Sequence, residues 1–259
     1  MATRPLVLVT GAAGRIGRNF VQRNAERFRL RLADLNAGAL NALAPHADGD
    51  PLVFDVTDRA ACRSAAEGCD AIVHLAGHVD PVADFHEHLL GPNLIGVYNV
   101  LEAAAEAGVG RLVYASSAQT IEAYPKDVQP DVTHPVRPDN LYGVCKVFGE
   151  ALACHLAYKR GMSAVCIRIA NFREKLEPTT KLNMRDMTAY ISPDDMSELI
   201  ARSIEVEGIT FEIVNGVSGN RYKRMRMDET CALLGMELKD DAFRVLGYPE
   251  PAAKSDPAW

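Results

Sequence analysis

Short apolar runs alternate with stretches of helical periodicity over the first two-thirds of the chain. The first run, Leu6-Val7-Leu8-Val9, is continuously apolar, which is typical of a strand buried on both faces. Strands that alternate with helices indicate a parallel sheet with right-handed crossovers. The pattern predicts strands at 6–9, 30–33, 51–55, 71–75, 111–115 and 164–169, and helices at 14–27, 92–107 and 140–159.

The pattern changes after residue 170, where a polar, irregular stretch covers 171–192. It is followed by a predicted helix at 193–206, an apolar run at 211–214 and a helix near 227–235. No Gly/Ser-rich linker marks a boundary. We therefore predict an α/β fold in which residues 1–170 form a doubly wound parallel sheet. Residues 171–259 should form a small portion packed on the same core, ending in a loosely attached, proline-containing tail from residue 249.

Composition excludes several classes of function. The 259 residues carry a net charge of −6 without a long run of one sign, which argues against nucleic-acid binding. No segment has the ~18–20 consecutive apolar residues of a membrane span, and the N-terminal stretch lacks the features of a signal peptide. The six cysteines include no C-x-x-C pair, which favours reduced, buried thiols and a cytoplasmic location.

A glycine-rich turn joins the first predicted strand to the first predicted helix. Gly11, Gly14 and Gly17 are spaced three apart, with Arg15 and Ile16 between the last two. Small residues let the backbone approach a pyrophosphate, and the helix N-terminus supplies N–H groups and a positive dipole end. In this strand–turn–helix context the motif predicts a dinucleotide-binding Rossmann domain.

Asp34 ends the second predicted strand, 23 residues after Gly11. A carboxylate there can accept both ribose hydroxyls of an adenosine and would repel the additional phosphate of NADP, which favours NAD. The alternative is a helix N-cap or a turn residue. Asp55 and Val56 could contact the adenine, and Leu75-Ala76-Gly77 could lie along the cofactor; loop packing explains both equally well.

Tyr142 and Lys146 lie four residues apart at the start of a predicted helix and therefore share one face. A phenol is a poor base at neutral pH, and we expect the neighbouring ammonium to lower its pKa so that the pair serves as a general acid/base. Ser117 follows the fifth predicted strand, at the edge where an open α/β sheet binds its ligand. Its hydroxyl could hold a reacting oxygen.

Taken together, these motifs resemble those of the extended short-chain dehydrogenase/reductase family, also called the NAD-dependent epimerase/dehydratase family. The resemblance covers residues 5–170 well and continues more weakly to about 235. It is carried by Gly11-x-x-Gly14-x-x-Gly17, Asp34, His74-Leu75-Ala76-Gly77, Asn93-x-x-Gly96, Ser116-Ser117, Tyr142-x-x-x-Lys146 and Arg168-Ile169. Within the family the chain is most similar to uronate dehydrogenases and related NAD-dependent aldose dehydrogenases, through residues 137–146, Thr120-Ile121, Tyr124-Pro125, and Arg185 with Ser192.

The resemblance implies a role for each catalytic residue. Tyr142 would be the base, Lys146 would bind the nicotinamide ribose and tune Tyr142, and Ser117 would polarise the reacting hydroxyl. Asn93 and Ile169 would contribute further cofactor contacts. The implied reaction is oxidation of the C1 hydroxyl of an aldopyranose to a lactone, with NAD as cofactor and no metal.

The resemblance also implies a sugar site formed by the polar stretch 171–192. Arg185 would grip an anionic C6 group of the sugar, because the guanidinium fork gives bidentate bonds. The remaining candidate substrate contacts are His78, Gln119, Asn171 and Arg173. Uronate dehydrogenases carry Asn-His after the two serines, whereas this chain has Ala118-Gln119. A 6-sulfonate such as sulfoquinovose, or a 6-phosphate, is therefore as strong a candidate as a uronate.

Two other functions remain open. A nucleotide-sugar epimerase would need room for the nucleotide, which the short C-terminal portion barely provides. A non-catalytic NAD-binding regulator would have no use for Tyr142, Lys146 and Ser117. The broad apolar faces of the predicted helices at 92–107 and 140–159, which family members pair across a two-fold axis, indicate a homodimer or a larger even assembly.

Overall fold

A computed structural model describes residues 4–249 of the chain. Within them the strands are β1 (Leu6–Thr10), β2 (Arg29–Asp34), β3 (Leu52–Val53), β4 (Ala71–His74), β5 (Arg111–Ser117), β6 (Ser163–Ile169), β7 (Asn171–Phe172), β8 (Tyr190–Ile191) and β9 (Phe211–Gly216). The helices are α1 (Arg15–Asn24), α2 (Ala37–Asn41), α3 (Arg59–Ala66), α4 (Val97–Glu106), α5 (Leu141–Arg160), α6 (Met184–Thr188), α7 (Pro193–Glu205), α8 (Asp228–Leu234) and α9 (Ala242–Val245). The predicted tail lies outside the described residues, apart from its first position.

Seven of these strands form one sheet in the order β3-β2-β1-β4-β5-β6-β9. Every neighbouring pair runs parallel. The order reverses direction at β1, and parallel strands joined by helices on both faces give the doubly wound Rossmann arrangement. The predicted fold class is therefore confirmed. The reversal point places the carboxyl ends of β1 and β4 at the crevice where such sheets bind ligands.

Strand β1 shows why its sequence is apolar throughout. Val7 and Val9 pack on one face of the sheet, in the same core as Phe20 of α1. Leu6 and Leu8 point to the other face, into a core that also holds Val97 of α4. Because helices cover both faces, neither set of alternate residues meets water, and the usual period of two is lost.

The C-terminal portion contributes directly to the main sheet. Strand β9 pairs with β6 along its length, from Ala164↔Phe211 to Ile169↔Gly216. Helix α7 packs beside α1 on the same face of the sheet. The predicted division at residue 170 stays a prediction, but this close packing agrees with the expectation of a shared core.

The helix predicted at 92–107 begins earlier than the sequence pattern indicates. Phe85–Gly96 already form a helix of wide, π-type turns, which leads directly into α4. Asp84 caps its start by accepting a hydrogen bond from the Glu87 N–H. Pro92 lies inside this segment and donates no backbone hydrogen bond, and wide turns accommodate such a missing link. The apolar spacing that predicted the helix exists only in its second half.

Residues 171–192 are also more ordered than predicted. Strands β7 and β8 pair with each other in a separate two-stranded sheet, and α6 lies between them. These elements have two to five residues each, too few for a period to show in the sequence. In the same way, the strand predicted at 51–55 shortens to β3, because Asp55 starts a turn by accepting a hydrogen bond from the Thr57 N–H.

The structure adds three findings on membrane spans, metal sites and cysteines. No described helix is long and apolar enough to cross a membrane. Over residues 4–249, no cluster of three or more His, Cys, Asp or Glu side chains is arranged to hold a metal ion. All six cysteines are free thiols, and four of them are buried.

Candidate active site

The glycine turn after β1 packs so closely against neighbouring backbone that larger residues would not fit at two of its positions. Gly11 has φ +71°, and a Cβ atom there would lie 2.7 Å from the backbone nitrogen of Ala76. A Cβ atom on Gly17 would lie 2.7 Å from the carbonyl oxygen of Ala12. Gly14 is the N-cap of α1 and offers no side-chain cap. No capping side chain therefore accepts from the N–H groups of the first turn, which leaves them available to a pyrophosphate.

A cavity of about 800 Å³ runs from this turn across the carboxyl ends of the strands. Its size is in the range of cofactor and ligand sites. It is lined by nearly all the predicted site residues: Gly11, Gly14, Arg15, Ile16, Gly17, Asp34, Asp55, Val56, Leu75, Ala76, Gly77, His78, Ser117, Gln119, Tyr142, Lys146, Ile169, Asn171 and Arg185. The predicted residues that do not line it are Asn93 and Arg173.

Asp34 is held in place by backbone groups at the end of β2. Its carboxylate accepts hydrogen bonds from the Ala13 N–H (2.9 Å) and the Asn36 N–H (2.9 Å). The N-cap of α2 is Asn36, so the helix-cap alternative for Asp34 is wrong, whereas its bond from the Asn36 N–H is a turn contact, as the other alternative predicts. Arg31 on the same strand points away and donates to the carbonyl oxygens of Ala65 and Glu67. A fixed carboxylate, without a nearby cationic partner from its own strand, therefore faces this end of the cavity.

Tyr142 and Lys146 emerge from the first turns of α5, which Asn140 caps by accepting from the Gly143 N–H. Both side chains are buried. The Lys146 Nζ donates to the carbonyl oxygen of Ala115 at 2.7 Å and lies 5.6 Å from the centre of the Tyr142 ring. The predicted pair is thus brought to one wall of the cavity, beside the end of β5.

The expectation that Lys146 lowers the pKa of Tyr142 is wrong for the protein alone. Burial raises the pKa of Tyr142 to about 12, and the nearby Ser117 hydroxyl opposes that rise only in part. Burial also lowers the pKa of Lys146 to about 8. Desolvation penalises both charged forms, and it outweighs their attraction across the distance between them. The phenol and the Ser117 hydroxyl nevertheless line the same cavity, where both could contact one reacting oxygen.

A buried ion pair supports the two serines from below. Glu150 of α5 accepts hydrogen bonds from the Ser116 hydroxyl (2.6 Å) and from the Arg168 guanidinium (2.9 and 3.0 Å). Both charged side chains are at least 95% buried. Because the pair ties α5 to β5 and β6, it fixes the position of Ser117 relative to Tyr142.

Asn93 is tied to the loop that follows β4. Its buried side-chain amide accepts from the His78 N–H at 2.7 Å and donates to the His78 carbonyl at 2.8 Å. It therefore lies behind the cavity wall and holds the loop after β4. The implied contact of Asn93 with a cofactor stays a prediction.

The arginines of the stretch 171–192 are paired with carboxylates. Arg185 lines the cavity, and its guanidinium binds Glu122 and Asp186. Arg173 lies outside the cavity lining, 3.8 Å from Asp186, and its role as a substrate contact is not supported by this position. Lys175 pairs with Glu177 at the surface. Sequence reasoning missed Glu122, since no local motif signals an ion pair between residues 63 positions apart.

Comparison with known proteins gives a consistent set of relatives. The sequence model of the NAD dependent epimerase/dehydratase family matches residues 7–192. Uronate dehydrogenase of Pseudomonas putida is 36% identical over 99% of this chain and 93% of its own length. NAD-dependent glucose-6-phosphate dehydrogenase of Haloferax volcanii is 32% identical over 95% of this chain and 97% of its own. A mutant uronate dehydrogenase from Agrobacterium tumefaciens, crystallised with NAD, superposes with a TM-score of 0.80 at 33% identity, covering 98% of this chain and 93% of that one.

Proposed function

The chain belongs to the NAD-dependent epimerase/dehydratase family, and from that premise we propose that it oxidises the C1 hydroxyl of an aldopyranose to the lactone. Like these relatives, it is an NAD-dependent sugar dehydrogenase. The observation that carries the proposal is that Tyr142, Lys146 and Ser117 line the same cavity as the glycine turn.

The residues of the cavity fit NAD. The bare first turn of α1 would hold the pyrophosphate, Asp34 the adenosine ribose, and Lys146 with Tyr142 the second ribose. When bound, NAD would supply the hydride acceptor. Ser117 would hold the C1 oxygen, and Tyr142 would remove its proton as the C1–H bond gives up its hydride and the carbonyl forms.

The proposal is tested by NADH absorbance with a panel of sugars: glucose, galactose, glucuronate, galacturonate, glucose 6-phosphate and sulfoquinovose. At least one should give sustained NADH formation, with a lactone as first product. If none does while NAD still binds, the protein is instead a non-catalytic NAD-binding regulator or an epimerase, since neither produces NADH in net turnover.

Asp34 gives the first prediction. Replacing Asp34 by asparagine should weaken NAD binding by about tenfold to a hundredfold, because a hydrogen bond to a charged group contributes about 1.5–3 kcal/mol. Discrimination against NADP should fall at the same time, since the repelling charge is gone. Calorimetric titration with both cofactors measures this. Asp48→Asn is the matched control, since Asp48 pairs with Arg29 at the surface and lies outside the cavity. Unchanged NAD affinity in Asp34→Asn would remove Asp34 from the cofactor site.

The assembly gives the second prediction. We propose a homodimer, or a larger even assembly, whose subunits contact each other through α4, α5 and the wide-turned helix Phe85–Gly96. Large apolar side chains there are exposed in the single chain, among them Ile95, Tyr98, Val144 and Phe148. Sedimentation should show an even assembly at micromolar concentration, and Phe148→Glu should shift it to the monomer. A monomeric parent protein would contradict the proposal.

A further inference from the structure

The sugar-facing end of the cavity contains an arginine whose fork is already filled. Arg185 Nε lies 3.1 Å from Glu122 Oε1, and Nη2 lies 2.9 Å from Oε2. The third nitrogen, Nη1, lies 3.2 Å from Asp186 Oδ1. A two-point guanidinium–carboxylate contact is the geometry in which an arginine binds an anionic ligand. Here Glu122 occupies that position from within the chain.

The charges around Arg185 cancel. Arg185 and Arg173 are the two cations, and Glu122 and Asp186 are the two carboxylates. Burial lowers the pKa of Arg185, but the hydrogen bonds and charges of the two carboxylates outweigh it and raise that pKa. The guanidinium thus stays charged while its charge is compensated by groups that are themselves only 20–24% exposed.

Two neutral amides line the same cavity as Arg185. Asn171 lines the cavity, and its buried Nδ2 has no hydrogen-bond partner among the described residues. Gln119 also lines it and is oriented by a 2.6 Å hydrogen bond from Asn140. An unpaired buried donor is costly unless a ligand accepts from it. Amide groups of this kind match sugar hydroxyls as well as they match charged groups.

We propose that Glu122 determines substrate specificity by filling the anion-binding fork of Arg185, so that the enzyme takes aldoses whose distal end is uncharged. This inference rests on the proposed sugar dehydrogenase function, and it reverses the expectation of a C6 anion. Arg185 then lines the cavity as a hydrogen-bond donor, and the N–H groups that do not bind carboxylates donate to sugar hydroxyls. Glu122 is a positioning residue, because it lies behind Arg185 and outside the cavity lining.

Binding of an anionic sugar would meet two obstacles. The charge of Arg185 is already compensated by Glu122 and Asp186, so the incoming anion would meet little net attraction. If the anion displaced Glu122 from Arg185, it would leave a largely buried carboxylate without its partner. A neutral hydroxyl encounters neither obstacle.

The test is Glu122→Gln, which keeps the side-chain shape and removes the charge. We expect the parent protein to have a higher kcat/KM for glucose and galactose than for glucose 6-phosphate and galacturonate. In the variant, kcat/KM for the anionic sugars should rise about tenfold relative to the neutral ones, mainly through KM, since one nearby charge has been removed. Inorganic sulfate should become a competitive inhibitor of neutral-sugar oxidation in the variant only.

Glu177→Gln is the control, because it removes an equal charge from an exposed ion pair on the stretch of chain that also carries Arg185, away from the cavity. It should leave the ratio of kcat/KM values unchanged. A parent protein that prefers anionic sugars would overturn the proposal. So would a Glu122→Gln variant that binds NAD normally but shows an unchanged preference.

Failure of the function and failure of the specificity proposal are distinguishable. If no sugar yields NADH, the dehydrogenase proposal fails, whereas calorimetric titration with sulfate still tests the filled fork. Tighter sulfate binding by Glu122→Gln than by the parent protein supports the internal counter-ion. Equal binding overturns it.

Discussion

Tyr142→Phe should lower kcat by about a hundredfold to ten-thousandfold, the range that a general acid/base contributes. The change removes one hydroxyl, and with it one of the two proposed ribose contacts, but leaves the glycine turn, Asp34 and Lys146 intact, so NAD affinity should fall by no more than about tenfold. Steady-state NADH formation and fluorescence titration with NAD separate the two effects.

Tyr158→Phe provides the matched control, since Tyr158 lies on the same helix but is 68% exposed. It should change neither kcat nor cofactor binding. Retained turnover in Tyr142→Phe would take the proton-transfer role away from Tyr142. A loss of NAD binding in proportion to the loss of turnover would indicate a structural role for the hydroxyl instead.

Glu150→Ala should lower the free energy of unfolding by about 3–5 kcal/mol, the usual effect of leaving one charge of a buried pair without its partner. Arg168 would be left in the core with no carboxylate, and one of its nitrogens, Nη1, already lacks a partner among the described residues. The Ser116 hydroxyl would lose its acceptor as well. Urea unfolding followed by circular dichroism measures the change.

Two variants sharpen that experiment. Asp48→Ala breaks an exposed pair with Arg29 and should change stability by no more than about 1 kcal/mol. The double variant Glu150→Met with Arg168→Met should recover much of the loss, because apolar side chains can replace a buried ion pair. If the double variant is as unstable as Glu150→Ala, packing at these positions, and not the unpaired charge, determines stability.

The parts of the fold that are readable from sequence are those with long, consistent patterns. The continuous apolar run of β1 marks a strand covered on both sides, and the three glycines mark a turn in which no bulkier residue fits at Gly11 or Gly17. Helix α5 was predicted to within one residue at each end, since Asn140 caps it and Gly161 follows it in a left-handed conformation.

What the sequence did not reveal depends on contacts between distant positions. The pairing of Arg185 with Glu122 appears only when α6 is placed beside the turn after β5. The raised pKa of Tyr142 depends on how deeply α5 is buried, which residue spacing does not specify. The wide-turned helix over Phe85–Gly96 lacks the 3.6-residue period by construction, so no search for that period can find its beginning.

Lys146 carries a further consequence. Its ammonium is favoured less in the folded chain, where the pKa is about 8, than in the unfolded chain near 10.5. Below pH 8 the lysine therefore opposes folding, and the opposition fades as the pH rises from 8 towards 10.5. An apolar residue of similar length at this position would raise the thermal stability of the protein and abolish the proposed turnover. Directed evolution for thermal tolerance alone would tend to discard this lysine, so activity has to be selected together with robustness.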